Sequence, residues 1–129
     1  MDLKAHHIGL VVSDLERSMA FYGALGFEVE SSLPIEGGAR SLTFMRLGDF
    51  RIELFWYAET PPVLVGSEAK HLGFRHLALK TDDIDAVVAE LKALGVAPEG
   101  AEVRDVLGRY RLIFLNDPDG TEIEITQEI

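Results

Sequence analysis

Two histidines and two glutamates recur in this sequence in one order, His7 then Glu53, His76 then Glu124, over nearly equal separations. Imidazole nitrogens combined with carboxylate oxygens suit borderline first-row ions such as Zn, Ni, Co, Mn or Fe. Two glutamates and two neutral histidines also neutralise one divalent cation, and carboxylates brought close together are costly without one. The four residues are therefore candidate ligands of a single divalent metal ion, with room in an octahedral shell for two waters or a bidentate substrate. Taken singly, each has a plainer reading: a hydrogen-bonded strand histidine, or a glutamate facing solvent. The ordered recurrence points to the metal.

That recurrence belongs to a repeat of the whole chain. A shift of 69 positions places His7 on His76, Leu10 on Leu79, Asp14 on Asp83, Leu25 on Leu94 and Gly26 on Gly95. Further along, a shift of 71 places Ile52-Glu53-Leu54 on Ile123-Glu124-Ile125. Matching polar, capping and stop residues together indicates duplication, with two extra residues expected in a loop of the second half.

Each half must supply the elements that carry these side chains. Residues 5–12 are an apolar run that predicts a strand, and the repeat places its counterpart at 75–81. Ser13 with Glu16 resembles a capping box and opens a helix over 15–25; Asp82 or Asp83 opens its counterpart over 84–94. Gly26 and Gly95 end those helices. Three strands are expected after each: 27–31, 40–47 and 50–57, then 96–100, 110–115 and 122–127. The Asn116-Asp117-Pro118-Asp119-Gly120 run reads as a tight turn. The order β-α-β-β-β thus occurs twice, giving an α+β chain. One domain over 1–129 is expected, with a first module at 1–57, a linker at 58–71 and a second module at 72–129.

Alternation along a strand sorts the side chains by face. Ile8, Leu10, Val12, Ile52, Leu54, Ile123 and Ile125 share the face expected to pack on the helices. His7, Glu53, His76 and Glu124 project from the other. Arg51 shares the face of Glu53 and Lys80 that of His76, so either could meet a substrate carboxylate or phosphate, pair with a ligand carboxylate, or sit at the rim. Phe55 and Tyr57 continue the Glu53 face as candidate pocket walls, while Trp56 is expected in the core. His6 is expected on the helix side in a structural role, and His71 in the exposed linker.

A formal charge of −10 argues against nucleic acid and anionic membrane as partners. No apolar run approaches the ~18 residues of a membrane span, and the N-terminus lacks a secretory layout, so the cytoplasm is the expected compartment. With zero cysteines, disulfide and thiolate chemistry are absent.

The stretches His7-Ile8-Gly9-Leu10-Val11-Val12-Ser13-Asp14-Leu15 with Phe21-Tyr22, Ile52-Glu53-Leu54-Phe55, Arg75-His76-Leu77-Ala78-Leu79, and Asp117-Pro118-Asp119-Gly120 with Ile123-Glu124-Ile125 resemble the vicinal oxygen chelate superfamily. That superfamily takes in glyoxalase I, methylmalonyl-CoA epimerase, bleomycin-resistance proteins and extradiol dioxygenases. The resemblance implies paired modules forming a curved, cup-like mixed sheet around a metal, helices on the outer face, and a homodimer. The ligand set is most similar to glyoxalase I of the bacterial type. It implies a metal-dependent lyase or isomerase of a small α-oxygenated carbonyl compound, with Glu124 shuttling a proton and Glu53 serving the opposite face. Val11 and Tyr57 stand where that enzyme tends to carry an Arg and an Asn, so its glutathione-recognition residues do not carry over. The epimerases often have Gln at the Glu53 position and a catalytic Glu on the neighbouring strand, where 40–47 has no carboxylate. Two alternatives are an Fe(II) extradiol-type dioxygenase using His7, His76 and Glu124, and a non-catalytic antibiotic-binding protein.

Overall fold

The computed structural model describes residues 1–2, 4–59 and 73–129. Most of the expected linker, and His71 with it, lies outside the described residues. The chain divides into two compact units between Glu59 and Gly73, each a β-α-β-β-β module.

In the first unit, β1 (Ile8–Val12), α1 (Leu15–Ala24), β2 (Glu28–Ile35), β3 (Arg40–Leu47) and β4 (Phe50–Tyr57) give a four-stranded sheet in the order β1-β4-β3-β2. β1 runs parallel to β4, and the other pairs are antiparallel. A parallel pair needs a crossover, which α1 begins. The alternation in β4 decides which face is covered. Ile52 and Leu54 are 0% exposed, as is Tyr22 of α1, and burying each such aliphatic side chain stabilises by roughly 1.5–3 kcal/mol. Tyr22, Phe27 and Phe50 extend this core edge to face, with ring centroids 5.9 and 6.1 Å apart.

The second unit repeats the plan with β5 (Leu77–Lys80), α2 (Ile84–Ala93), β6 (Arg104–Val106), β7 (Tyr110–Asn116) and β8 (Glu122–Glu128), in the order β5-β8-β7-β6. Ile84, Val88 and Leu91 of α2 are buried together with Ile123 and Ile125 of β8. Among the described residues, no helix is long and apolar enough to cross a membrane.

Several expectations need correction. Asp14, not Ser13, caps α1, its carboxylate accepting from Arg17 N at 3.1 Å; Asp83 does the same for α2 from Ala86 N at 3.0 Å. β2 runs on to Ile35 instead of stopping at Ser31. It is an edge strand, almost wholly exposed, so it carries no hydrophobic alternation, and its edge position tolerates Pro34. No strand forms over 96–100. The N–H groups of Val96 and Ala97 are taken by Leu91 O at 2.9 and 3.1 Å, and Pro98 has none to give, so pairing begins only at Arg104. The two extra residues are also split. Phe44 pairs with Glu53 and Phe114 with Glu124, so β7 is shifted by 70 and β8 by 71. One insertion precedes β7 and the other lies in the β7–β8 turn. In that turn the Asp117 carboxylate accepts from Asp119 N and Thr121 N at 2.9 and 2.8 Å, and Gly120 takes φ 87°.

Candidate functional site

The open face of each sheet carries one His–Glu pair. His7, just before β1, places Nε2 2.9 Å from Oε2 of Glu53 in β4. His76, just before β5, places Nε2 2.9 Å from Oε2 of Glu124 in β8. The parallel β1–β4 and β5–β8 ladders explain this repetition: each sets a first-strand residue beside the glutamate, Gly9 against Glu53 and Ala78 against Glu124.

Both carboxylates are held by the sheet yet remain reachable. The Glu53 side chain is 9% exposed and that of Glu124 15%, so Glu124 is the more open. Partial burial makes a bare carboxylate costly, and in each unit the imidazole nitrogen answers it. A cation replacing the bridging proton would find one nitrogen and one carboxylate oxygen already facing each other. The donor set therefore fits a divalent first-row ion. Each unit by itself offers two ligands, and among the described residues no group of three or more His, Asp or Glu side chains is gathered.

Each pair has an aromatic companion that the sequence reading did not single out. Phe44 lies opposite Glu53 on β3, with its ring 5.1 Å from that of His7 at 89°. Phe114 lies opposite Glu124 on β7, with its ring 5.2 Å from that of His76 at 79°. The shift of 70 that relates β3 to β7 could have found them. His6 is corrected as well. It precedes β1, where strand alternation does not yet hold, and its Nδ1 lies 2.7 Å from Nδ1 of His7 while its ring meets Phe44 at 6.3 Å.

A profile of the Glyoxalase/Bleomycin resistance protein/Dioxygenase superfamily matches residues 4–125. The chain belongs to this superfamily. It is 37% identical over 127 residues to the uncharacterized protein YaeR of Escherichia coli, covering 97% of this chain and 96% of that one. It is 29% identical over 129 residues to the human mitochondrial methylmalonyl-CoA epimerase, covering 96% and 73%. It is 30% identical over 128 residues to a probable lactoylglutathione lyase of Vibrio parahaemolyticus, covering 94% and 88%.

Within this superfamily frame, the four residues expected to meet substrate have distinct surroundings. Arg51 donates to Glu30 through Nε at 2.9 Å and Nη2 at 3.2 Å, which holds the Glu30 carboxyl below its usual range and raises Arg51. Lys80 reaches Glu128 at 3.4 Å, both exposed. Phe55 lies over Gly9, where an added Cβ would stand 2.9 Å from the ring. Tyr57 ends β4 opposite Arg40.

Proposed function

We propose that this chain is a metal-dependent lyase or isomerase of glyoxalase I type. It would move a proton at a carbon next to the carbonyl of a small α-oxygenated compound. His7, Glu53, His76 and Glu124 hold one divalent ion, and the two units together form one functional domain. The observation that carries this reading is the His–Glu pair at 2.9 Å, built twice from equivalent strand positions, each beside a phenylalanine. A fold can repeat an apolar face without repeating function; it has no packing reason to repeat a largely buried carboxylate.

When bound, the ion supplies Lewis acidity that brings the C–H beside the carbonyl within reach of a carboxylate base. Glu124, the more open carboxylate, takes the proton from carbon and returns it to the neighbouring carbon or to the same one. No oxidant or reductant is needed. Glu53 serves the opposite face, and His7 and His76 keep the two carboxylates in place. Phe44 and Phe114 limit water around them.

The epimerase relative favours a second reading of the same chemistry, with both transfers at one carbon. The open-face residues of β3 are Arg40, Leu42, Phe44 and Arg46, and those of β7 are Tyr110, Leu112, Phe114 and Asn116, so neither strand offers an additional base. Among the described residues, only Glu53 and Glu124 pair with the imidazoles.

Protein prepared without chelator should carry about one first-row ion per four-ligand site. Glu53→Ala and Glu124→Ala should each lose it. A panel of methylglyoxal hemithioacetals, acyl-CoA epimers and catechols, with each metal restored, then identifies the reaction. Unchanged metal affinity in both variants would remove the basis of the reading, and oxygen uptake with a catechol would replace it by dioxygenase chemistry. Sedimentation of the metal-loaded protein reports whether a homodimer completes the site.

A further inference from the structure

The second unit has a feature that the first lacks. Two guanidinium groups converge on the Phe114 ring: Arg75 Cζ lies 5.8 Å from its centroid and Arg104 Cζ 5.7 Å. Arg104 lies opposite Leu112, two residues before Phe114 on the same face of β7, and that face also carries Glu124. The diagonal reach from β6 to Phe114 follows from this register. Arg75 directly precedes His76, whose imidazole meets the same ring.

Like charges gathered on one ring repel, and a chain with a net charge of −10 has carboxylates in abundance to separate them. They are only partly matched here. Glu122 lies 3.7 Å from Arg75, too far for a hydrogen bond, and Glu124 is engaged by His76. Arg104 appears in none of the ion pairs among the described residues. Both arginines are exposed, so their planar forks are open to a solute. In the first unit the corresponding ring, Phe44, has His6 in the place of Arg75, and the strand position paired with Leu42 holds Leu33 where Arg104 pairs with Leu112. Among the described residues, a pair of guanidiniums on the ring therefore occurs in the second unit alone.

We propose that Arg75 and Arg104 form an oxyanion-binding subsite that holds a carboxylate or phosphate of the substrate, with Phe114 as the platform that aligns the two guanidiniums. Guanidinium forks match such oxyanions by paired hydrogen bonds, and an aromatic face beside these planar, weakly hydrated groups helps orient them. The subsite lies beside the His76–Glu124 pair, so the substrate is anionic at one end and carries its reacting carbon at the other. Arg51, already bound by Glu30, does not compete for this role. The inference rests on the preceding reading that this face receives the substrate, and it narrows that substrate to an anion.

The test uses the full chain, labelled so that the arginine Nε–H resonances are resolved, and titrates it with inorganic phosphate, acetate and, at matched ionic strength, chloride. The Arg75 and Arg104 resonances should move and saturate with phosphate or acetate and not with chloride. Arg104→Leu should weaken the titration at Arg75 at least tenfold while metal retention stays at the wild-type level. Equal shifts with chloride, or an Arg104→Leu titration like the wild type, would overturn the subsite even if the metal is bound. A chain that retains no metal but shows the saturable arginine shifts would instead sink the proposed reaction and leave the anion site standing. Phosphate and acetate compared at equal concentration decide which oxyanion the subsite prefers.

Discussion

The Nδ1 atoms of His6 and His7 lie 2.7 Å apart, so one ring donates a proton and the other accepts it. His7 Nε2 faces Glu53, and thus both nitrogens of His7 are engaged. An ion on Nε2 requires Nδ1 to carry the proton, which His6 then accepts. His6 would therefore act as a positioning residue for a ligand. His6→Phe keeps an aromatic ring near Phe44 and removes the acceptor. It should lower metal affinity by about 10–100-fold, the usual effect of losing such an outer partner. A chelator competition reads this directly, and an affinity equal to wild type would show that His7 is oriented without its neighbour.

Phe44 and Phe114 make the same edge contact with their histidines, at 5.1 and 5.2 Å. Replacing either by Leu removes that contact, worth about 0.5–1.5 kcal/mol beyond the area lost. Denaturant unfolding of Phe44→Leu and Phe114→Leu should show similar losses of stability. Their functional effects should diverge, because only Phe114 carries the two arginines. Phosphate titration should suffer in Phe114→Leu alone. Equal behaviour in both variants would mean that the ring has no role in holding the guanidiniums.

The His–Glu pairs were legible in the sequence because alternation within β4 and β8 sets the face of each glutamate, and the internal repeat ties the two histidines to them. β3 and β4 were legible to the residue, since the Gly37-Gly38 and Gly48-Asp49 turns bound them on the sequence. The aromatic companions were not. A phenylalanine within a strand has the signature of core, and only the pairing register puts Phe44 and Phe114 opposite the glutamates. Arg104 was hidden for a related reason: its three-residue strand carries no periodic signal, and the expected strand over 96–100 is occupied by helix-end hydrogen bonds. His6 stands outside the ladder, as His7 does, and both rings turn toward Phe44, so alternation did not separate them.

Gly9 and Phe55 are coupled by space. A Cβ on Gly9 would stand 2.9 Å from the Phe55 ring, inside any real contact, whereas the second unit carries Ala78 and Thr126 at the equivalent positions. Gly9→Ala should therefore cost roughly 1–3 kcal/mol through overpacking. In a Phe55→Thr background, which copies the second unit, the same change should cost much less. A double-mutant cycle by urea unfolding measures the coupling. Additive costs would show that the ring moves aside freely and that Gly9 is not there to admit it.

Asp85 and Arg111 tie the first turn of α2 to β7 through two hydrogen bonds of 2.7 and 2.9 Å. The guanidinium holds the Asp85 carboxyl below its ordinary value of 3.8. A depressed folded-state value means that the bridge stabilises the fold above the unfolded value. That stabilisation disappears as the pH drops through the folded value. Asp85 also lies in the first turn of the helix, where a negative charge is favoured, and that contribution has the same sign and the same pH window. Asp85→Asn should therefore unfold at lower denaturant than wild type at neutral pH, by a constant margin down to about pH 5, with the margin closing as the solution is acidified past the carboxylate range. Because both partners are solvent-accessible, added salt should also narrow the margin. Unfolding midpoints across a pH series decide the matter: a margin unchanged in acid would assign the loss to packing of the side chain rather than to its charge.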